Sequence, residues 1–251
     1  MADLFELERF CSELLNSASF EDYCPNGLQV DAGTRQVHRV VTGVTACQAL
    51  IEEAADWRAD LLLVHHGYFW RGDALPLTGH MGHRVRTLIK RGISLMAYHL
   101  PLDAHPIIGN NRQLAALLEL EGAEALPETG GLLWRGTLVP SLVPQQLAEK
   151  IGMVLNREPL LISAGDKPIS DLCWCTGAAQ SYIEKAAASG MHAYISGEIS
   201  EQTVHLAREL GVHYFAAGHH ATERYGIRAL GERLRQEFGL EHRFIEVENP
   251  V

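Results

Sequence analysis

Residues 61–67, LLLVHHG, decide how the rest of the chain is read. An unbroken run of aliphatic residues from Leu61 to Val64 fits a strand buried on both faces, as in the interior of a parallel sheet. That run stops at two adjacent imidazoles, His65 and His66, followed by a glycine. Open α/β sheets receive ligands at the carboxyl ends of their parallel strands, so the pair is expected at a site. A lone buried histidine is more often satisfied by a hydrogen bond than engaged in chemistry, and two in succession at a strand end weaken that reading.

Outward from this strand the chain alternates. Helices are predicted near 47–57, 80–91 and 111–119, with strands at 60–64 and 93–97, and such alternation implies parallel strands joined by crossover helices. Ahead of them, Leu4, Leu7, Phe10, Cys11, Leu14 and Leu15 recur at helical spacing, and YCPNGLQV offers a turn at Asn26-Gly27 before a short strand. Asn26 is read most simply as a turn residue. After WRGTLVP the order replays: Pro144 opens a helix with Leu147, Ile151 and Leu155 inward, then strands at 159–163 and 171–176. Helix 180–189, strand 192–196, helix 199–210 closed by Gly211, strand 212–217 and a helix from about 221 follow. The expected fold class is α/β, with two intertwined repeats of α-β-(βα)3 type, mixed and mostly parallel sheets, and halves at 1–125 and 126–251. Residue identities scarcely repeat, so the duplication rests on element order.

Bulk properties narrow the function. A hydrophobic share of 47% with 21% charged residues is that of a globular protein that folds throughout. A formal net charge of −10 is a poor footprint for a protein that tracks phosphodiester backbones, so nucleic acid is an unlikely partner. Arginines at 84–91 and 224–235 read as solvated helix faces. Acidic residues Asp3, Glu6, Glu8 and Glu13 on an amphipathic pattern do not resemble a signal peptide, and no apolar run reaches membrane-spanning length. With five cysteines, an odd number without framework spacing, the expectation is a cytoplasmic protein. Alternation puts Cys173 and Cys175 on one face of a strand, which favours packing over a metal or redox motif.

The chemically loaded residues cluster after strands. GHHATER places His219 and Glu223 four apart, on one face of a helix start, with His220 on a neighbouring face. YHLPLDAH supplies His99, Asp103 and His105; Pro101 is expected to keep this segment extended, and Asn110 or Asn111 is the better cap for the next helix, which leaves Asp103 without a structural duty. Collected, His65, His66, Asp103, His219 and Glu223 offer three imidazoles and two carboxylates. That set suffices for two divalent ions with positions open to water, and its N/O chemistry suits zinc, manganese, iron, cobalt or nickel. His99 and His220 are candidates for proton transfer or for orienting a ligand, and Glu198 for a helix's first turn or an outer role at the site. Tyr68, Phe69 and Trp70 read equally as loop packing or as a surface for stacking a base.

Taken together, NGLQV, VHHGYFW, HLPLDAHP with GNN, SGEISEQT and AGHHATERYGIRAL resemble the GTP cyclohydrolase 1 type 2 homologues, also called Nif-three-like or YbgI-like proteins. The resemblance runs almost end to end. It implies a ring-shaped homohexamer with pairs of metal ions facing an interior cavity, the five residues above as ligands, and Glu223 as the bridge between ions. Where some relatives carry a Gly-Asp and histidine pair in the second half, this chain has Ser196-Gly197-Glu198, which puts any role borrowed for that position in doubt.

The reaction implied is hydrolysis of a purine nucleotide by metal-activated water, with attack at C8 of guanine and loss of formate. No G-x4-G-K loop is present to hold a triphosphate. A phosphoester hydrolase, or a non-catalytic metal-binding or regulatory ring, are the alternatives.

Overall fold

The computed structural model describes residues 1–251. In chain order the elements are β1 (Ala2–Asp3), α1 (Leu4–Leu14), β2 (Gly27–Val30), β3 (Gln36–Val37), β4 (Arg39–Thr45), α2 (Gln48–Asp56), β5 (Leu61–His66), α3 (Gly79–Arg91) and β6 (Ser94–Ala97). Next come α4 (Leu100–Ala104), α5 (Asn110–Leu117), β7 (Glu121–Ala125), β8 (Trp134–Leu142), α6 (Pro144–Leu155), β9 (Leu160–Ile162) and β10 (Ile169–Cys175). The chain ends with α7 (Ile183–Ala188), β11 (Ala193–Ser196), α8 (Glu201–Leu210), β12 (His213–Ala216), α9 (His219–Thr222), α10 (Arg224–Phe238) and β13 (Glu241–Phe244). No helix is long and apolar enough to cross a membrane.

Two compact units share the chain discontinuously: Met1–Leu102 with Gly226–Glu248, and Asp103–Tyr225 with Asn249–Val251. In the first unit a five-stranded sheet runs β13-β4-β5-β6-β2, parallel from β13 through β6, with β2 antiparallel at the edge. Residues 226–248 thus return to a sheet begun some two hundred residues earlier: β13 pairs with β4. Leu62 and Val64 of β5 are fully buried, with Ile51 of α2 and Leu88 of α3 in the same core cluster. The aliphatic run is therefore a central strand, covered by the apolar stripes of its crossover helices.

The second unit carries a six-stranded sheet in the order β7-β8-β10-β11-β12-β9, with β10, β11 and β12 parallel and the other pairings antiparallel. Strand β8 runs through the WRGTLVP stretch that the sequence reading treats as the junction between halves. Trp134, Gly136 and Leu138 point inward, and their alternation with exposed or half-buried neighbours gives the strand its period. Trp134 and Trp174 pack with ring centroids 6.2 Å apart, beside Leu147, Ile151 and Leu155 of α6, the inward positions that the helical spacing predicts.

Both sheets contain one arrangement: three parallel strands, then an antiparallel edge strand, β4-β5-β6-β2 and β10-β11-β12-β9, in which the edge strand precedes the other three in sequence. The fold is mixed α/β, with element order repeated as the alternation predicts. In each unit the parallel strands present their carboxyl ends at the loaded motifs. Leu62→Ala removes a fully buried side chain from the first unit's central strand. It is expected to cost about 2–5 kcal/mol, read as a lowered urea midpoint.

Candidate metal centre

In the first unit His65 and His66 still lie within β5, where His66 pairs with Thr45. The sequence reading places them just past the strand. Their rings nevertheless approach to 4.6 Å between centroids. His65 is fully buried, and its Nδ1 stands 2.9 Å from the Tyr98 carbonyl oxygen. A carbonyl can only accept, so that nitrogen carries the proton and Nε2 the lone pair. His66 Nδ1 lies 3.1 Å from Thr45 Oγ1.

His99 follows β6 and is oriented by residues from the turn before β2. Its Nδ1 is 2.7 Å from Asp22 Oδ1, and its backbone N–H donates to Asn26 Oδ1 at 2.8 Å. Asp22 also accepts from Tyr23 N, Asn26 Nδ2 and Leu100 N. Burial alone would raise the Asp22 carboxyl; the His99 ring, with the Asn26 amide and the Tyr23 N–H, outweighs it and brings its pKa down to about 2. Asp22, which braces the candidate residue His99, is one that sequence reading misses. Asn26 was the available signal, read as a turn, and it braces this loop instead.

The aromatics divide. Tyr68 is buried with its hydroxyl donating to Ala46 O, which is packing; Trp70 sets its ring edge-on to His99 at 4.9 Å; Phe69 is partly exposed.

The second unit gathers Asp103, His219 and Glu223. Asp103 is 5% exposed and lies in α4, not in an extended segment. Pro101 is the second residue of that helix, a position where the missing N–H is harmless. Asn110 Nδ2 donates to Asp103 Oδ1 at 2.8 Å, Thr176 Oγ1 adds a bond at 3.3 Å, and Asn111 Nδ2 donates to the Asp103 carbonyl at 3.2 Å. Neither asparagine caps α5, whose N-cap is Gly109; both are buried against Asp103.

His219 begins the short helix α9, which Glu223 terminates, so the expected continuous helix from 221 is broken at this residue. The break turns Glu223 back: its Oε2 lies 3.1 Å from His219 Nε2. On the other side of the ring, Nδ1 is 2.7 Å from Glu198 Oε1. Glu198 thus precedes α8, which starts at Glu201, and orients the imidazole. Burial opposes a charged His219, but the hydrogen bonds and charges of Glu223 and Glu198 prevail and carry its pKa up to about 9.

The chemistry of this donor set calls for a cation. With Nδ1 committed to Glu198, a neutral His219 would aim a lone pair at the Glu223 carboxylate, and only a proton or metal ion between them relieves that repulsion. Carboxylate oxygens of Asp103 and Glu223 also lie within 4.8 Å of each other. These His, Asp and Glu groups could hold a metal ion. His220 is buried in the same helical turn, its backbone N–H donating to Val251 O at 3.0 Å. Cys173 and Cys175 are buried in the core of this unit, as packing predicts; burial, with Asp103 and Glu223 adding to it, holds the Cys175 thiol well above its ordinary range.

Two glycines make the arrangement fit. A Cβ on Gly177, whose φ is +69°, would come within 2.2 Å of Glu223 Oε1, and one on Gly197 within 2.7 Å of the His219 Cα.

The family model described as Duf34/NIF3 (NGG1p interacting factor 3) matches residues 2–250. The chain belongs to the DUF34/NIF3 family. Among curated relatives, the "GTP cyclohydrolase 1 type 2 homolog" of Allochromatium vinosum is 50% identical over 251 residues, covering 100% of this chain and 98% of the relative. The protein of that name from Escherichia coli K12 is 49% identical over 247 residues, with 98% of each chain covered. Among solved structures, protein ybgI matches with a TM-score of 0.95 at 48% identity, over 99% of this chain and 100% of that one. TTHA1606 from Thermus thermophilus matches at 0.90 and 31%, over 99% and 100%.

Gly177→Ala should displace the Glu223 carboxylate without unfolding the second unit. Isothermal titration with zinc is expected to show affinity reduced by about 10-fold or more, with an unchanged circular dichroism spectrum.

Proposed function

We propose that this DUF34/NIF3 chain is a metal-dependent hydrolase with a dinuclear centre, its ligands His65, His66, Asp103, His219 and Glu223, with Glu223 bridging. The observation that carries this reading is the 3.1 Å approach of His219 Nε2 and Glu223 Oε2, a pair that a proton holds together in the absence of metal and that a metal ion can take over as ligands. The fixed tautomer of His65 supports it from the first unit, by making Nε2 a ligand nitrogen. Two divalent ions, of zinc, manganese, iron, cobalt or nickel, would lower the pKa of bound water toward neutrality and polarise substrate oxygens.

The chain's own residues have separate duties in this reading. Glu198 holds His219 in the ligating tautomer, Asn110 and Thr176 hold the Asp103 carboxylate, and His220 is available to move a proton. The name shared by the relatives supports a purine nucleotide as substrate, with one water adding at C8 to open the imidazole ring and a second hydrolysing the resulting formamide to release formate. Assembly as a homohexameric ring follows from the family resemblance, and a cytoplasmic setting fits five free cysteines.

Metal-loaded protein incubated with GTP is expected to release formate without inorganic phosphate, and the His65→Ala/His66→Ala variant to lose that turnover. Phosphate release from GTP and simple phosphomonoesters would move the assignment to phosphoester hydrolysis. Metal binding without turnover on any nucleotide would leave a binding or regulatory ring.

A further inference from the structure

The arginines of 224–235 read from the sequence as a solvated helix face, yet one of them lines a cavity. In the first unit a cavity of about 620 Å³ lies between α10 and β13, walled by Arg228 and Glu232 of the helix and by His242, Arg243 and Phe244 of the strand. β13 is the last strand of its sheet, so its outer edge is free. Successive side chains of a strand point to opposite faces, and a cavity that touches three in a row therefore runs along that edge.

The charges on this wall do not cancel. Glu232 is the one carboxylate among the five residues, and Arg235, which is not one of them, takes it in a fork: Nη2 lies 2.6 Å from Oε1 and Nε 2.8 Å from Oε2. Arg235, with Gln236, holds the Glu232 carboxyl down at about 2, so it stays ionised and paired. Arg228 and Arg243, both exposed, then add two positive charges with no counterpart on the wall. In a chain of net charge −10 that excess is local.

The polar floor is fixed by packing. The His242 side chain is 7% exposed, with Nε2 2.8 Å from Thr42 Oγ1 and Nδ1 3.9 Å from Glu232 Oε2. Burial lowers its pKa; Glu232 opposes that shift, while Arg228 and Arg235 add to it, so the ring is neutral at neutral pH. Gly231 admits the imidazole: a Cβ there would come within 2.2 Å of His242 Nε2 and 2.6 Å of Thr42 Cγ2. Glycine inside a helix is destabilising relative to alanine, and this close approach accounts for one in α10. Phe244, partly buried, contributes an apolar surface.

We propose that this cavity binds a phosphate monoester, with Arg228 and Arg243 on the phosphate and Phe244 against the organic part. Two guanidinium groups match a monoester's charge of roughly −2, and their planar forks suit its oxygens. A volume of about 620 Å³ falls within the roughly 300–1,000 Å³ of small-molecule sites and exceeds what a bare phosphate fills. None of the proposed metal ligands takes part, so this site is independent of the hydrolase reading.

Isothermal titration with phenylphosphonate, a non-hydrolysable aryl analogue, tests this on the wild-type protein and on the His65→Ala/His66→Ala variant, whose metal centre is disabled. The variant is expected to bind one molecule per chain with the wild-type affinity for this site. In that background Arg228→Gln and Arg243→Gln should each weaken binding about 10-fold, and together about 100-fold, with an unchanged circular dichroism spectrum. Inorganic phosphate, which has nothing to place against Phe244, should bind about 10-fold more weakly. Affinity that survives both arginine substitutions, or binding that is lost with His65 and His66, would overturn the proposal. Inorganic phosphate binding as tightly as the aryl analogue would overturn it too, by removing the organic part from recognition.

Discussion

An imidazole can offer a cation only the nitrogen that its proton has left, so the partner on the other nitrogen governs what a histidine can do. In this protein the fold supplies that partner at each of four rings: the Tyr98 carbonyl, the Thr45 hydroxyl, the Asp22 carboxylate and the Glu198 carboxylate. Three of these come from residues at or just past the carboxyl ends of parallel strands, and Asp22 comes from the turn before an edge strand. Strand register therefore becomes tautomer. The pairing of β5 with β6 aligns Val64 with Ala97 and so brings the Tyr98 carbonyl to His65, which fixes one proton before any ligand arrives.

In the second unit the constraint is charge. Asp103 and Glu223 are nearly buried, and Glu198 is about one-third exposed, so the low polarity around the first two leaves little water to stabilise them. Neutral donors from Asn110 and Thr176 spread the charge of Asp103, while His219 is drawn toward the protonated form between two carboxylates. A proton meets part of that demand and a divalent ion meets more of it. The glycines at 177 and 197 are the steric side of the same problem, since the end of β10 and the end of β11 pass too near His219 and Glu223 to carry a side chain.

Much of this was legible because it is local. Leu61–Val64 reads as a central strand, the inward stripe of α6 follows from its spacing, and Gly211, with φ +69°, ends α8 as a glycine at that position should. Histidines and carboxylates at strand ends marked the candidate residues, which the structure gathers into groups that could hold a metal ion. What escaped depends on contacts distant in sequence or on details of a single turn. Asp22 reaches His99 across 77 positions and β13 returns to β4 across some two hundred, and no short-range pattern encodes either. Proline at the start of α4 looked like a breaker because its tolerance depends on which turn it occupies. Asn110 and Asn111 looked like caps because that is what isolated asparagines do best, whereas burial against Asp103 gives them a stronger partner. Glu198 looked like a first-turn residue, but α8 starts only at Glu201, three residues later than a carboxylate at that place would suggest.

The claim beneath all of this is that the chain binds divalent metal through these side chains. Metal analysis by mass spectrometry, on protein purified without chelator and again after dialysis against zinc or manganese, measures it most directly. The account predicts two ions per chain after loading, falling in the His65→Ala/His66→Ala variant. Protein that stays metal-free after dialysis, or a variant that loads as fully as the wild type, would contradict it.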